Sequence, residues 1–355
     1  MPRDFYDVVT AYFLLPSALC RVVPYLFLYG QSGSGKSTLA KLASYLHGVD
    51  INSSSDTFAG IRNSLNKRRY SQLEMPSDDP KFPSWYKDVE VNTCMVWDDV
   101  DATVFTDNPD LYRLFKFGYD RNTDKIILSS NETGTNLEFR CFCPKIFSSI
   151  TPLHLDSRFK ELKRRMIVIP CKRIEELSGE RLVELGVTKN NWQLKLLDVG
   201  AYDWKGFSQV FDDFWNLDMG AMFLETRKLL STMSLGFTSQ QAGITADLLT
   251  TGLTVGIWDE VDEAVERMQT YWDWFRQETE TSGGLGVLLK QLITQEEKNL
   301  SALNQPLELH VSQIRGQIEM WVAQGWLFEK PRLNEIKALL LDLGMRQQQG
   351  KWVKG

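Results

Sequence analysis

The run Gly30-Gln31-Ser32-Gly33-Ser34-Gly35-Lys36-Ser37, followed by Thr38, sets glycines, a lysine and a hydroxyl at Walker A spacing, and the chemistry of that spacing is phosphate binding. Glycines let consecutive backbone N–H groups curve around phosphate oxygens with no Cβ in the way. The start of a helix adds partial positive charge. Lys36 is expected to reach the β and γ phosphates of ATP, and the Ser37 hydroxyl to be a ligand of Mg²⁺. An accidental glycine-rich turn before a helix is the plain alternative.

Thr93-Cys94-Met95-Val96-Trp97-Asp98-Asp99 is the second chemical feature, an apolar strand that delivers two consecutive carboxylates at its end. In this Walker B pattern Asp98 is expected to hold Mg²⁺ through water, and Asp99 to polarise the attacking water. The run Ile126-Ile127-Leu128-Ser129-Ser130 reads as the next strand, with Asn131 at its tip. An amide there, beside the two aspartates, would orient that water. Asn is also a common turn former, and a solvated acidic loop is the plain reading of Asp98 and Asp99. The two motifs support each other because each needs geometry that the other supplies.

Positioning these groups requires a strand, a sharp turn and a helix in that order. Tyr25 to Tyr29 reads as a buried strand, and residues 37–46 repeat apolar positions at helical spacing, so the glycines fall in a strand-to-helix turn. Residues 4–23 read as a helix broken or kinked at Pro16. A helix is expected around 57–68, a surface loop up to 88, a buried strand over 89–100 and a helix over 110–118. Strands are expected at 125–130, 137–142, 145–150 and 166–170. Short apolar strands alternating with helices imply an α/β fold, with a largely parallel sheet covered by helices on both faces.

After Cys171 the pattern becomes helical to about Asn299 and rich in Trp and Phe, which read mainly as core. Helices at 312–324 and 333–343, then a hairpin over 345–353 turning near Gly350, suggest a winged-helix-like module. The expected organisation is a P-loop ATPase domain over 1–175 with an N-terminal helix, a helical domain over 176–299 and the wing-like module over 300–355.

The chain has 355 residues, enough for two or three domains with cores of their own. A net charge of −6 confines any nucleic-acid contact to local basic patches. Five scattered cysteines and only three histidines, none at ligand spacing, favour buried reduced thiols over zinc ligands and fit a reducing cytoplasm. The apolar stretch from Val8 to Tyr29 is interrupted by Pro16, Arg21 and Pro24, which argues against a membrane span.

The order of Walker A, two-carboxylate Walker B, Asn131 and Arg164-Arg165 before the last strand resembles the additional-strand ATPases of the AAA+ group. Within that group it is most similar to viral superfamily-three helicases and the helicase halves of phage and plasmid primase-helicases. Gly118 to Arg121, Phe142 to Ser149 and Leu162 to Arg173 share the cadence of those proteins. The resemblance implies an ATP-hydrolysing homo-oligomeric ring, a hexamer, that acts on single-stranded or forked DNA as a helicase or translocase of a phage or other mobile element. It also implies an arginine that crosses the subunit boundary to the neighbour's phosphates, with Arg165 the first choice and Arg164 the second. Capping of a helix end is the plain reading of that pair. Asp99 departs from the Glu found in most AAA+ members. No primase or origin-binding region precedes the motor, which implies a separate primase, polymerase or initiator partner, or a different task. The alternative is a nucleotide-switched loader or assembly regulator that recruits a replication or transposition partner without unwinding.

Candidate DNA contacts are Arg113, Lys116, Arg121 and Lys125, between Walker B and the next strand, and Lys351 and Lys354, which flank Trp352 in the tail. Each group also fits a solvated face.

Overall fold

The computed structural model describes residues 4–53, 55–67, 94–129, 136–177, 179–184, 206–215, 217–280, 285–301, 306–323, 330–331, 333–348 and 350–354. Contacts divide the chain into two compact units, residues 1–152 with 161–272, and residues 153–160 with 273–355.

The first unit is built on a five-stranded parallel sheet. Its strands are β1 (Tyr25–Tyr29), β2 (Ile51–Asn52), β3 (Met95–Trp97), β6 (Lys145–Ser149) and β7 (Met166–Pro170), in the order β2-β3-β6-β1-β7. The central β1 is apolar along nearly its whole length because both of its faces are covered, and Tyr25 to Leu28 are fully buried. Helices α1 (Asp4–Phe13), α2 (Lys36–His47), α3 (Phe58–Lys67), α4 (Ala102–Asp107), α5 (Pro109–Phe117) and α6 (Lys160–Lys163) accompany the strands. α2 packs on β3 and β6. Phe115 of α5 meets Tyr25, Trp97 and Phe147 edge-on or tilted, with ring centroids 5.6 to 6.1 Å apart, so alternate strand residues form one aromatic layer.

α1 stops at Phe13, short of Pro16, whose ring cannot continue a helix without losing a hydrogen bond. The Tyr12 hydroxyl donates to Pro24 O at 2.8 Å and fixes the chain where it enters β1. Helices α7 (Gly179–Glu184), α8 (Phe207–Phe214), α9 (Leu217–Ser231), α10 (Ser239–Thr254) and α11 (Val261–Glu280) follow. α10 packs on α1 and α9, so residues beyond 175 complete the first unit's core. The Tyr271 hydroxyl accepts the Val168 N–H at 2.7 Å, which satisfies a donor on edge strand β7. Phe211 and Trp215 are buried, as the aromatic pattern implies, whereas Phe207 and Phe214 are exposed.

One expectation is overturned. β4 (Lys125–Ser129) and β5 (Asn136–Arg140) do not join the parallel sheet; they pair with each other, antiparallel, from Lys125↔Arg140 to Ser129↔Asn136. Their mutual antiparallel pairing follows from chain length. A parallel neighbour needs a crossover of about a dozen residues or more, and only residues 130–135 separate the two strands. The hairpin base is held by the buried Lys145, whose Nζ donates to Gly118 O at 2.8 Å, Cys141 O at 2.8 Å and Cys143 O at 3.1 Å. All five cysteines are buried.

The second unit contains α12 (Leu285–Ser301), β8 (Glu308–His310), α13 (Val311–Ala323), α14 (Leu333–Asp342), β9 (Met345–Gln348) and β10 (Lys351–Lys354). The strands form an antiparallel sheet in the order β8-β10-β9, and Gly350 takes a left-handed turn between β9 and β10. Leu289, Leu309, Ile318, Trp321, Leu340 and Trp352 make up much of its core. Strand β8 is absent from the sequence expectation; three residues are too few for a period-2 signal. No helix among the described residues is long and apolar enough to cross a membrane.

Candidate active site

The glycine-rich turn joins β1 to α2, as the spacing requires. Gly35, at φ 86°, is the left-handed residue immediately before α2, and Lys36 opens the helix. At Gly30, φ 154°, an added Cβ would stand 2.1 Å from Cys171 O, because β7 leaves the sheet directly beside the loop. The contact is built by pairing. Tyr29 opposes Pro170, and the Cys171 N–H donates to Tyr29 O at 2.7 Å.

Lys36 is 7% exposed, and its Nζ donates to Gly30 O at 2.8 Å and Gln31 O at 3.0 Å. Burial lowers the pKa of this ammonium; Cys171, Asp99 and Asp98 act against the shift, and Arg173 adds to it. Ser34 Oγ is buried with no hydrogen-bond partner, while Ser37 is exposed and Thr38 half-buried. A bound phosphate would supply the missing acceptor for Ser34 and an anion for Lys36, so the loop fits a nucleotide.

Asp98 and Asp99 follow β3. The Ser148 hydroxyl, near the end of neighbouring β6, donates to Asp98 Oδ1 at 2.5 Å and accepts the Asp99 N–H at 2.9 Å. Val100 N–H donates to Ser148 O at 2.7 Å and closes the turn. Asp99 sits at φ 56°, where Asp is among the few side chains tolerated. Asp98 is half-buried and Asp99 exposed. A hydroxyl of Ser37 and a carboxylate of Asp98 form a donor set that suits Mg²⁺, a cation that prefers oxygen ligands and keeps several waters.

The water-orienting role expected of Asn131 loses its premise, because the strand leading to it belongs to the hairpin. β3 lies between β2 and β6, and on the β6 side the polar group delivered beside Asp98 is Ser148. Asn131 itself lies outside the described residues. Ser148 was visible in the sequence only as one hydroxyl near the end of an apolar run.

Arg165 is the first choice for the arginine that crosses a subunit boundary. Its side chain is 13% exposed and turned into its own chain: it donates to Glu161 O, pairs with the Glu161 carboxylate at 3.5 Å and stacks 4.4 Å from the Tyr119 ring centroid. Arg164 is 52% exposed, with Glu161 3.6 Å away. Of the DNA candidates, Arg121 caps the carbonyls of Ser17 and Cys20 at 2.7 and 3.2 Å and lies 4.2 Å from the Phe142 ring centroid, a structural use of its charge. Lys125 pairs with Glu138 at 2.9 Å, Lys351 with Glu308 at 2.7 Å, and Lys354 with Glu297. Arg113 is exposed, and Lys116 lies 5.8 Å from the Phe117 ring centroid.

One residue that sequence reasoning passed over stands at the loop. Arg173, two positions beyond Cys171, donates from Nε to Ser32 O at 2.6 Å.

No protein-family model matches the chain, and no curated protein matches it. Among solved structures, the chain is similar to one described as "SCCmec type IV Cch - active helicase", with 12% sequence identity and a TM-score of 0.43. The match covers 98% of this chain, which spans 66% of the length of that one.

Proposed function

We propose that the chain is a Mg²⁺-dependent ATPase of the AAA+ type that works as a ring-forming motor on DNA. The observation that carries the ATPase reading is that β6, between the Walker A strand and the Walker B strand, ties the two motifs together: the Gly30 N–H donates to Ser149 O at 3.3 Å and the Ser148 hydroxyl to Asp98 Oδ1 at 2.5 Å. Backbone N–H groups from Gly33 to Thr38 and the Lys36 ammonium hold the phosphates. Ser37 and Asp98 would hold Mg²⁺, which would offset charge on the phosphate oxygens. Ser148 fixes the Asp98 carboxylate, and Asp99 orients the attacking water and draws on its proton.

The ring, the hexamer and the mobile-element setting rest on the motif order. Within a ring, Arg164 is now the better candidate to reach a neighbour's phosphates, since Arg165 is committed to its own chain. DNA contact is assigned to the Arg113 and Lys116 face of α5, since Lys125 on the hairpin is paired with Glu138. The C-terminal module, which has the strand and helix order of a winged helix, has Lys351 and Lys354 paired with acids.

That pairing favours a second reading for the tail, as a protein-docking module of a nucleotide-switched loader. Asp99, one methylene shorter than Glu, agrees with slow turnover. ATP hydrolysis by the purified protein with and without single-stranded DNA, together with strand displacement on a forked duplex, separates the two. A motor gives DNA-stimulated hydrolysis and unwinding. Hydrolysis without stimulation or unwinding removes the motor reading and leaves the loader.

A further inference from the structure

The first three carbonyls of the phosphate loop are all capped by cations of the same chain. Lys36 Nζ takes Gly30 O and Gln31 O, and Arg173 Nε takes Ser32 O. The Lys36 ammonium has three donors, so it can hold two carbonyls and still donate to a phosphate, and Arg173 stands at the same loop. Its place is set by backbone: β7 is locked to β1 through Tyr29↔Pro170 and the Cys171 N–H···Tyr29 O bond, and Cys171 O closes on Gly30. The chain therefore delivers residue 173 to the loop wherever β7 ends. Gly33 lies beside it, for a Cβ at that position would be 4.0 Å from Arg173 Nε, an ordinary contact distance.

We infer that Arg173 is a phosphate ligand supplied in cis, which exchanges Ser32 O for the γ phosphate of ATP. This rests on the ATPase reading above. Two cations crowded at one loop repel each other until an anion lies between them, and the charge that ATP carries beyond ADP is what a cation additional to Lys36 and Mg²⁺ offsets. Arginine suits the task, since its planar fork can grip phosphate oxygens with two hydrogen bonds.

The test is equilibrium binding of a non-hydrolysable ATP analogue and of ADP, with Mg²⁺, to the full chain and to Arg173→Ala and Arg173→Lys. A charge-assisted hydrogen bond lost from the γ phosphate weakens the analogue about tenfold or more in Arg173→Ala, leaves ADP within about twofold, and is partly restored in Arg173→Lys. A residue that only holds the loop's shape through Ser32 O would weaken both nucleotides alike. Equal weakening, or no weakening, in a variant with the parent's melting temperature overturns the assignment and leaves the ATPase reading intact. If the parent chain binds neither nucleotide while folded, the ATPase reading fails and this assignment fails with it.

Discussion

Ser148 and Asp98 come from adjacent strands of the sheet, and the Ser148 hydroxyl meets Asp98 Oδ1 at 2.5 Å while accepting the N–H of Asp99 at 2.9 Å. One hydroxyl thus fixes both the carboxylate assigned to Mg²⁺ and the backbone of the carboxylate assigned to water. The bond needs parallel pairing of β3 with β6 in the register Trp97↔Phe147.

Removing that hydroxyl separates positioning from binding. Ser148→Ala is expected to lower the maximal ATP turnover about tenfold or more, because a hydrogen bond to a charged group contributes about 1.5–3 kcal/mol. ATP affinity changes little, since Lys36 and the loop amides are intact. Steady-state kinetics beside equilibrium nucleotide binding provide the check; unchanged turnover would show that Asp98 is held well enough without Ser148.

The two adjacent arginines are expected to behave differently. Arg165→Ala gives up a stacked, largely buried guanidinium and lowers stability by about 1–2 kcal/mol, measurable by denaturant unfolding. Arg164→Ala leaves the unfolding midpoint near the parent's and lowers hydrolysis in assembled rings. Mixing it with Lys36→Ala protein restores part of the activity if the arginine acts across a boundary. Failure of that rescue in rings shown to mix would remove Arg164 from the site.

His47, at the end of the helix that Lys36 begins, makes stability depend on pH. Burial lowers its pKa to about 4, its ring packs 5.0 Å from that of Phe211, and Nε2 has no hydrogen-bond partner. Between the ordinary histidine pKa of about 6.5 and about 4, the unfolded chain binds a proton that the folded chain does not. Stability is therefore full above about pH 6.5 and falls as pH drops toward 4, by about 3 kcal/mol. Unfolding free energies at several pH values should show this slope in the parent and lose most of it in His47→Leu. An equal slope in both places the acid sensitivity elsewhere.

Both chemical motifs were legible in the sequence because each is a local event. Gly30 to Ser37 turns between a strand and a helix that flank it in the chain, and Asp98 ends a strand whose apolar run precedes it. What was not legible depends on which strands become neighbours. Residues 125–129 and 145–149 both read as short apolar strands, and periodicity cannot say which one lies beside β3. The short link between β4 and β5 already argued for a hairpin. Arg165 and Arg173 show the same limit for side chains: neither the fold-back onto Tyr119 and Glu161 nor the approach to Ser32 leaves a mark on spacing. The unexpected β8 is seen only through its pairing, Leu309↔Trp352.

Whether the chain hydrolyses ATP through Lys36 and Asp99 is decided by phosphate release from Mg·ATP by the purified chain, run beside Lys36→Ala and Asp99→Asn with nucleotide binding measured on all three. Turnover is expected of the parent, no binding and no turnover of Lys36→Ala, and retained binding with turnover reduced about a hundredfold or more of Asp99→Asn. Parent-level hydrolysis in either variant, or a folded parent that binds no ATP, would contradict hydrolysis through these residues.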